Sequence, residues 1–298
     1  MDVRRFRGTT VALVTPFTPD GAIDEPRLRE LVEWQIEQGI DVLLATGTTG
    51  ESATLSHEEH HRVMDIVIEQ AAGRVPVMCG AGSNATSEAL SLTRHAEKAG
   101  ADAILSVAPY YNKPTQQGLY QHFRAIAEST SLPLFIYNVP GRTGVNIAAE
   151  TILRLAEIPN VAGVKEASGN LSQIMRILRE RPDGFLVLSG DDAITLPILA
   201  LGGDGVISVV ANEAPALTAQ MVRAALEGRW EEARVLHYRL LPLMEANFLE
   251  SNPIPVKAAL WLMGKVELSY RLPLVPPAES TLNLLRQLLR ELGVEVVH

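Results

Sequence analysis

Lys165 lies in Val161-Ala-Gly-Val-Lys-Glu-Ala-Ser168, a charged amine inside a small and apolar run. Burial disfavours an ammonium ion, so a lysine at an apolar strand end can be a neutral amine near neutral pH, able to attack a carbonyl and form an imine. The competing reading is an ordinary ion pair with Glu166 or another loop carboxylate.

Imine chemistry needs more than the amine. It needs a proton shuttle to collapse the carbinolamine and an anchor for the rest of the carbonyl compound. Tyr137, in Phe135-Ile-Tyr-Asn-Val-Pro-Gly-Arg-Thr143, supplies a phenol one strand from Lys165. A phenol titrating near 10 is a poor base at pH 7, so it requires hydroxyl neighbours that pass protons, and Thr48 and Tyr111 are the candidates. Gly47-Thr-Thr-Gly-Glu-Ser52 is rich in backbone and hydroxyl donors suited to a small carboxylate. No Gly-Lys-Ser/Thr follows, so it is not a Walker loop. Arg142 follows Pro140 and Gly141 in a turn, and its planar fork suits two-point contact with a carboxylate.

These groups must be brought to one place. Eight short β-branched runs alternate with helical patterns: Thr9 to Val14, Asp41 to Ala45, Val75 to Gly80, Ala103 to Val107, Leu134 to Asn138, Gly163 to Glu166, Phe185 to Ser189 and Gly205 to Val209. Pro26 to Gln38 reads as a helix before Gly39, and Ser56 with Glu59 reads as a capping box. The alternation predicts an α/β fold, a (β/α)8 TIM barrel. From about Pro215 only helical periodicity appears, which predicts a barrel over residues 1–214 and a C-terminal α-helical extension over 215–298. Functional groups of such barrels gather at the C-terminal strand ends. That rule selects Thr48 and Thr49, Tyr110 and Tyr111, Tyr137 and Arg142, Lys165, Gly190 and Ile207.

Composition excludes several classes of function. A net charge of −9 argues against a broad nucleic-acid footprint. No apolar run is long enough to span a membrane, and the first residues lack a signal-peptide cleavage pattern, so the expected location is cytoplasmic. The single cysteine, Cys79, sits in a strand-like run and reads as a packing residue. No spaced His, Cys or carboxylate cluster predicts a metal site.

Taken together, Gly47 to Thr54, Ala108 to Thr115, Tyr137 to Gly144, Gly163 to Ala167, Leu188 to Asp192 and Gly205 to Ser208 resemble the dihydrodipicolinate synthase family, within the N-acetylneuraminate lyase superfamily. The resemblance runs from about Gly8 through Lys257. It implies a class I aldolase-like lyase in which Lys165 forms a Schiff base with pyruvate, and the enamine attacks L-aspartate 4-semialdehyde, the first committed step of diaminopimelate and lysine biosynthesis. No cofactor is implied beyond that covalent imine. By the same resemblance Tyr137 is the proton donor and acceptor, with Thr48 and Tyr111 in its relay, and Tyr111 reaches into a neighbouring subunit's site. Thr49 and the backbone of Ile207 hold pyruvate, Gly190 lines the pocket and Arg142 binds the semialdehyde carboxylate.

The resemblance further implies a homo-oligomer, a dimer of tight dimers, and a feedback site for L-lysine at Ser52, Ala53, His57, His60, Asn84, Glu88 and Tyr110. Read locally, His57 and His60 are solvated residues beside the capping box, and Glu88 is an acid favourable to a helix N-terminus. Gly141 and Ala81 depart from the family pattern, where serine and threonine are common. Two alternatives stand beside this one: another pyruvate-dependent aldolase on the same barrel, which the intact Pro-Gly-Arg-Thr disfavours, and a non-catalytic barrel that senses amino or keto acids.

Overall fold

The computed structural model describes residues 2–298. Eight parallel strands close in sequence order into a barrel: β1 (Gly8–Ala12), β2 (Val42–Ala45), β3 (Val77–Gly80), β4 (Ala103–Val107), β5 (Leu134–Asn138), β6 (Val161–Glu166), β7 (Leu186–Ser189) and β8 (Gly205–Ser208). β1 stops two residues short of the expected Val14, whose N–H is taken by the Asn212 side chain at 3.2 Å.

Successive strand residues face opposite sides of the sheet. Ala12, Val42, Leu44, Met78, Leu105, Phe135, Leu188 and Ile207 therefore fill the barrel, and Phe6 packs edge-on against Phe135 at 5.4 Å. The alternate set, including Val11, Leu43, Cys79, Ile104, Ile136, Val164 and Val187, packs against the surrounding helices. Cys79 belongs to this outer layer, and burial pushes its thiol well above the usual range.

The helical layer comprises α1 (Glu25–Glu37), α2 (His57–Ala71), α3 (Thr86–Ala99), α4 (Gln116–Glu128), α5 (Pro140–Thr143), α6 (Ala149–Leu155), α7 (Leu171–Glu180), α8 (Thr195–Ala200) and α9 (Pro215–Leu226). The capping box of α2 is formed, with Glu59 N–H on Ser56 Oγ at 3.2 Å and Ser56 N–H on Glu59 Oε2 at 2.9 Å. α9 packs on β1 and β8 as the eighth crossover helix, so the division expected after residue 214 falls in front of a helix that closes the ring. α10 (Trp230–Ala246), α11 (Ile254–Leu262) and α12 (Glu279–Glu291) follow it. They share an apolar cluster with α9 and with Leu199, Val206 and Val210 of the barrel.

Candidate active site

The β5–β6 register sets Tyr137 directly beside Lys165, and β7 sets Leu188 on its other side. Lys165 points into the barrel, with its Nζ 4.1 Å from the centre of the Tyr137 ring. Glu166, the next residue, must point the opposite way. Its carboxylate is buried among the helices, accepting from Ser168 N–H at 2.8 Å, Gln173 Nε2 at 3.1 Å and Asn138 Nδ2 at 3.2 Å. The ion pair between Lys165 and Glu166 is thus excluded by strand alternation. Gly190 makes the lysine's path possible: a Cβ there would lie 2.7 Å from Ala167 Cβ and 3.1 Å from Lys165 Cε.

Burial holds the Lys165 amine down, to about 7; Asp192 nearby opposes that shift and the Arg142 guanidinium adds to it. The lysine is therefore poised between ammonium and free amine at neutral pH. Asp192 is itself buried, accepting from Val209 and Val210 N–H at 2.9 Å each. Burial pushes the Tyr137 phenol up from its ordinary value, while Arg142 and a hydrogen bond with Thr48 pull it back.

The turn after β2 carries Thr48 and Thr49 between two non-glycine residues in the left-handed region, Thr46 at φ 53° and Glu51 at φ 54°. A β-branched residue there needs outside support. Thr46 Oγ1 donates to Gly80 C=O at 3.0 Å, and Thr15 Oγ1 donates to Gly50 C=O at 2.7 Å. From α11, Lys257 Nζ meets Glu51 Oε1 at 2.5 Å, both side chains being essentially sealed from solvent. Asn252 Nδ2 donates to Thr49 Oγ1 at 3.1 Å, and its carbonyl accepts from Arg142 Nη2 at 3.3 Å. Asp192, Asn252 and Lys257 are not among the site residues expected from the sequence. Lys257 carries the same signal as Lys165, a lone cation inside the apolar run Ile254-Pro-Val-Lys-Ala-Ala-Leu260.

Two connected spaces open at this end of the barrel. A chamber of about 50 Å³ is lined by Thr46, Thr48, Ser52, Leu105, Tyr137 and Lys165, room for only a small molecule beside the amine. It shares Thr48 and Ser52 with a cleft of about 490 Å³. Arg142 and Asn252 border that cleft, and so do Ser52, Ala53, His57, His60, Glu88 and Tyr110. Ile207 is buried on the inner face of β8.

Two expectations change here. His60 is buried rather than solvated, its Nε2 2.8 Å from Gly80 C=O, and burial lowers it to about 4, so it is a neutral imidazole at pH 7. Asn84 does not line the cleft; it donates to the Tyr110 carbonyl at 3.1 Å and braces that loop. Tyr111, expected to serve a neighbouring subunit, stands 89% exposed at φ 74°. His57 and Glu88 do meet, 3.2 Å apart. Among the described residues no group of metal ligands assembles and no helix is long and apolar enough to cross a membrane.

Known proteins share both the pattern and the shape. The model of the dihydrodipicolinate synthetase family matches residues 5–292. A 4-hydroxy-tetrahydrodipicolinate synthase of Syntrophus aciditrophicus is 55% identical over 97% of this chain and 99% of its own length. Among solved structures, the chloride-inhibited dihydrodipicolinate synthase of Acinetobacter baumannii, complexed with pyruvate, superposes with a TM-score of 0.95 at 47% identity over 97% of this chain and 99% of that one. The enzyme of Cyanidioschyzon merolae with lysine bound does so with a TM-score of 0.95 at 44% identity, over 98% and 99%. With the match running the length of the barrel and through the helices that brace its mouth, this chain belongs to the dihydrodipicolinate synthetase family.

Proposed function

We propose that the chain acts as a 4-hydroxy-tetrahydrodipicolinate synthase, a class I aldolase-like lyase that condenses pyruvate with L-aspartate 4-semialdehyde through an imine on Lys165. The observation that carries this reading is a buried amine without a carboxylate partner, held near 7 and lying 4.1 Å from a buried phenol ring. Neutral Lys165 adds to the C2 carbonyl of pyruvate, and Tyr137 returns a proton to the oxygen so that the carbinolamine leaves as water and iminium. Loss of a C3 proton gives the enamine, whose C3 attacks the semialdehyde's aldehyde carbon and leaves a hydroxyl there. The semialdehyde's amine then attacks C2, closes the ring and expels Lys165. The iminium itself is the electron sink, so these steps call on no cofactor.

Thr48 hydrogen-bonds Tyr137 and completes the part of the relay that one chain holds. Thr49, Gly190 and the backbone of Ile207 are assigned to the pyruvate side. Arg142, which lines the larger cleft, is assigned to the semialdehyde carboxylate, which it meets as a guanidinium fork. Borohydride reduction in the presence of pyruvate tests the reading: a pyruvate-derived mass is expected on the peptide carrying Lys165, and an unmodified Lys165 refutes the mechanism. Turnover with aspartate semialdehyde, set against neuraminate and keto-deoxygluconate, separates the synthase from other aldolases of this barrel.

Tyr111 is exposed while Tyr137 is buried, which supports use of Tyr111 by a second copy of the chain, and hence a homo-oligomer. Mixed Tyr111→Ala and Lys165→Ala subunits should regain activity if the tyrosine is shared, and sedimentation gives the number of copies. The cleft with Glu88, His57 and Tyr110 suits an amino acid, Glu88 facing its ammonium, and L-lysine is the effector assigned to it. Calorimetric binding of lysine that disappears in Glu88→Ala is the expected result. Biosynthetic substrates of this kind place the enzyme in the cytoplasm, which fractionation would check.

A further inference from the structure

The largest fully buried cation of this molecule does not touch the imine chamber. Lys257 is completely enclosed within α11, its Nζ 2.5 Å from Glu51 Oε1, 4.3 Å from the centre of the Phe17 ring and 5.1 Å from that of Tyr270. Glu51 closes the turn that holds Thr48 and Thr49, and it does so at φ 54°. Asn252, five residues before Lys257, hydrogen-bonds Thr49 through its side chain and Arg142 through its carbonyl. Tyr270 Oη donates to Ile254 C=O at 2.7 Å and pins the start of α11. Arg271 then lies 4.3 Å over the same Phe17 ring and bonds Glu59 Oε1 and Oε2 at 2.6 Å each.

A buried ion pair is a poor means of gaining stability, because desolvation offsets most of the attraction, while apolar packing of the same volume would serve as well. What such a pair does supply is direction: one donor at one oxygen, fixing a backbone that its own φ values disfavour. We infer that Lys257 is a positioning residue for the reaction, an internal brace by which the C-terminal helices hold Glu51, and through it the Thr48–Thr49 turn, against the imine chamber. Asn252 is the second point of the same brace. Lys257 thus contributes to the chemistry while lining neither the chamber nor the cleft.

The inference rests on the assignment of Thr48 to the proton relay and Thr49 to pyruvate. Its consequence is that loss of the brace raises the pyruvate KM through Thr49 and lowers kcat through Thr48, while Lys165 still forms its imine. A displacement of about 1 Å in such a group costs about 100-fold, which sets the expected fall in kcat/KM for Lys257→Met. That single variant also strands Glu51 in the interior and can fail to fold.

The double variant Glu51→Gln/Lys257→Met removes both charges and so recovers thermal stability, yet leaves the turn without its brace. It is expected to melt near the wild type, to accept pyruvate on Lys165 under borohydride to full stoichiometry, and to keep a kcat/KM for pyruvate lowered by about 10- to 100-fold. Lys257→Arg, which retains the charge and can still reach Glu51, is expected to recover part of that loss. A double variant with wild-type kcat and pyruvate KM overturns the brace. Failure of borohydride trapping in the wild type would instead overturn the reading on which it rests, so the two are distinguishable.

Discussion

Lys165 and Lys257 are both buried, both lie over an aromatic ring at 4.1 and 4.3 Å, and both are pushed down by burial. They differ in what faces the nitrogen. Lys257 has Glu51 at 2.5 Å, and that carboxylate opposes the effect of burial on the amine. Lys165 has no carboxylate in ion-pair contact among the described residues, and Asp192, already committed to two backbone N–H groups, opposes burial only in part. Burial alone does not make a nucleophile. A withheld counter-ion does, and the same residue type serves as a reactive amine in one place and a rivet in the other.

The sharpest way to break this contrast is to replace each lysine with methionine. Lys165→Met should lose about 10⁴-fold or more in kcat, because no other group can form the imine. Its stability should hold or rise, since an unpaired amine leaves the interior. Lys257→Met should instead lose about 3–5 kcal/mol of stability by stranding Glu51. Equal melting temperatures for the two variants would contradict the comparison.

Tyr137→Phe comes next, with an expected fall of about 10²- to 10⁴-fold in kcat and continued, slower trapping of pyruvate. The phenol and the amine would then be separable in single-turnover experiments.

The third test is pH. Only the neutral amine attacks, so the rate of imine formation should rise with pH through about 7 and level off above it. Stability carries the matching signature. Lys165 titrates lower in the folded chain than its ordinary 10.5, so between about 7 and that value the unfolded chain binds more protons and stability rises with pH. The advantage of Lys165→Met in melting temperature should therefore be largest below pH 7 and shrink above it. An advantage that grew with pH would mean that Lys165 is paired after all.

The smallest effect is expected at Gly141. A Cβ there meets nothing within 4 Å and its φ lies outside the left-handed region, so Gly141→Ser should shift stability by no more than about 0.5 kcal/mol and leave Arg142 in place. A large change in the KM for the semialdehyde would show that the turn's looseness matters.

Much of the molecule was legible in one dimension. Strand periodicity located all eight strands within two residues at each end, because buried parallel strands read as short apolar runs whatever their partners. The strand-end rule then collected Thr48, Tyr137, Arg142 and Lys165 near one mouth. His60 was misread because its helix position, beside exposed His57, says nothing about what lies across from it; Gly80 of β3 decides that. α9 was assigned to the extension because periodicity distinguishes helices from strands and not one helix's neighbours from another's.

What the sequence determined by itself was therefore local and repetitive: the period of each element, the capping box at Ser56, and the residue types available at each strand end. What only the tertiary structure decided was pairing. Strand alternation turned Glu166 away from Lys165, and the return of α11 across some 200 residues of chain brought Lys257 to Glu51. Two lysines in similar apolar runs differ in sequence by almost nothing. Their chemistry is set by the charge that the fold places, or declines to place, within a few ångströms of the nitrogen.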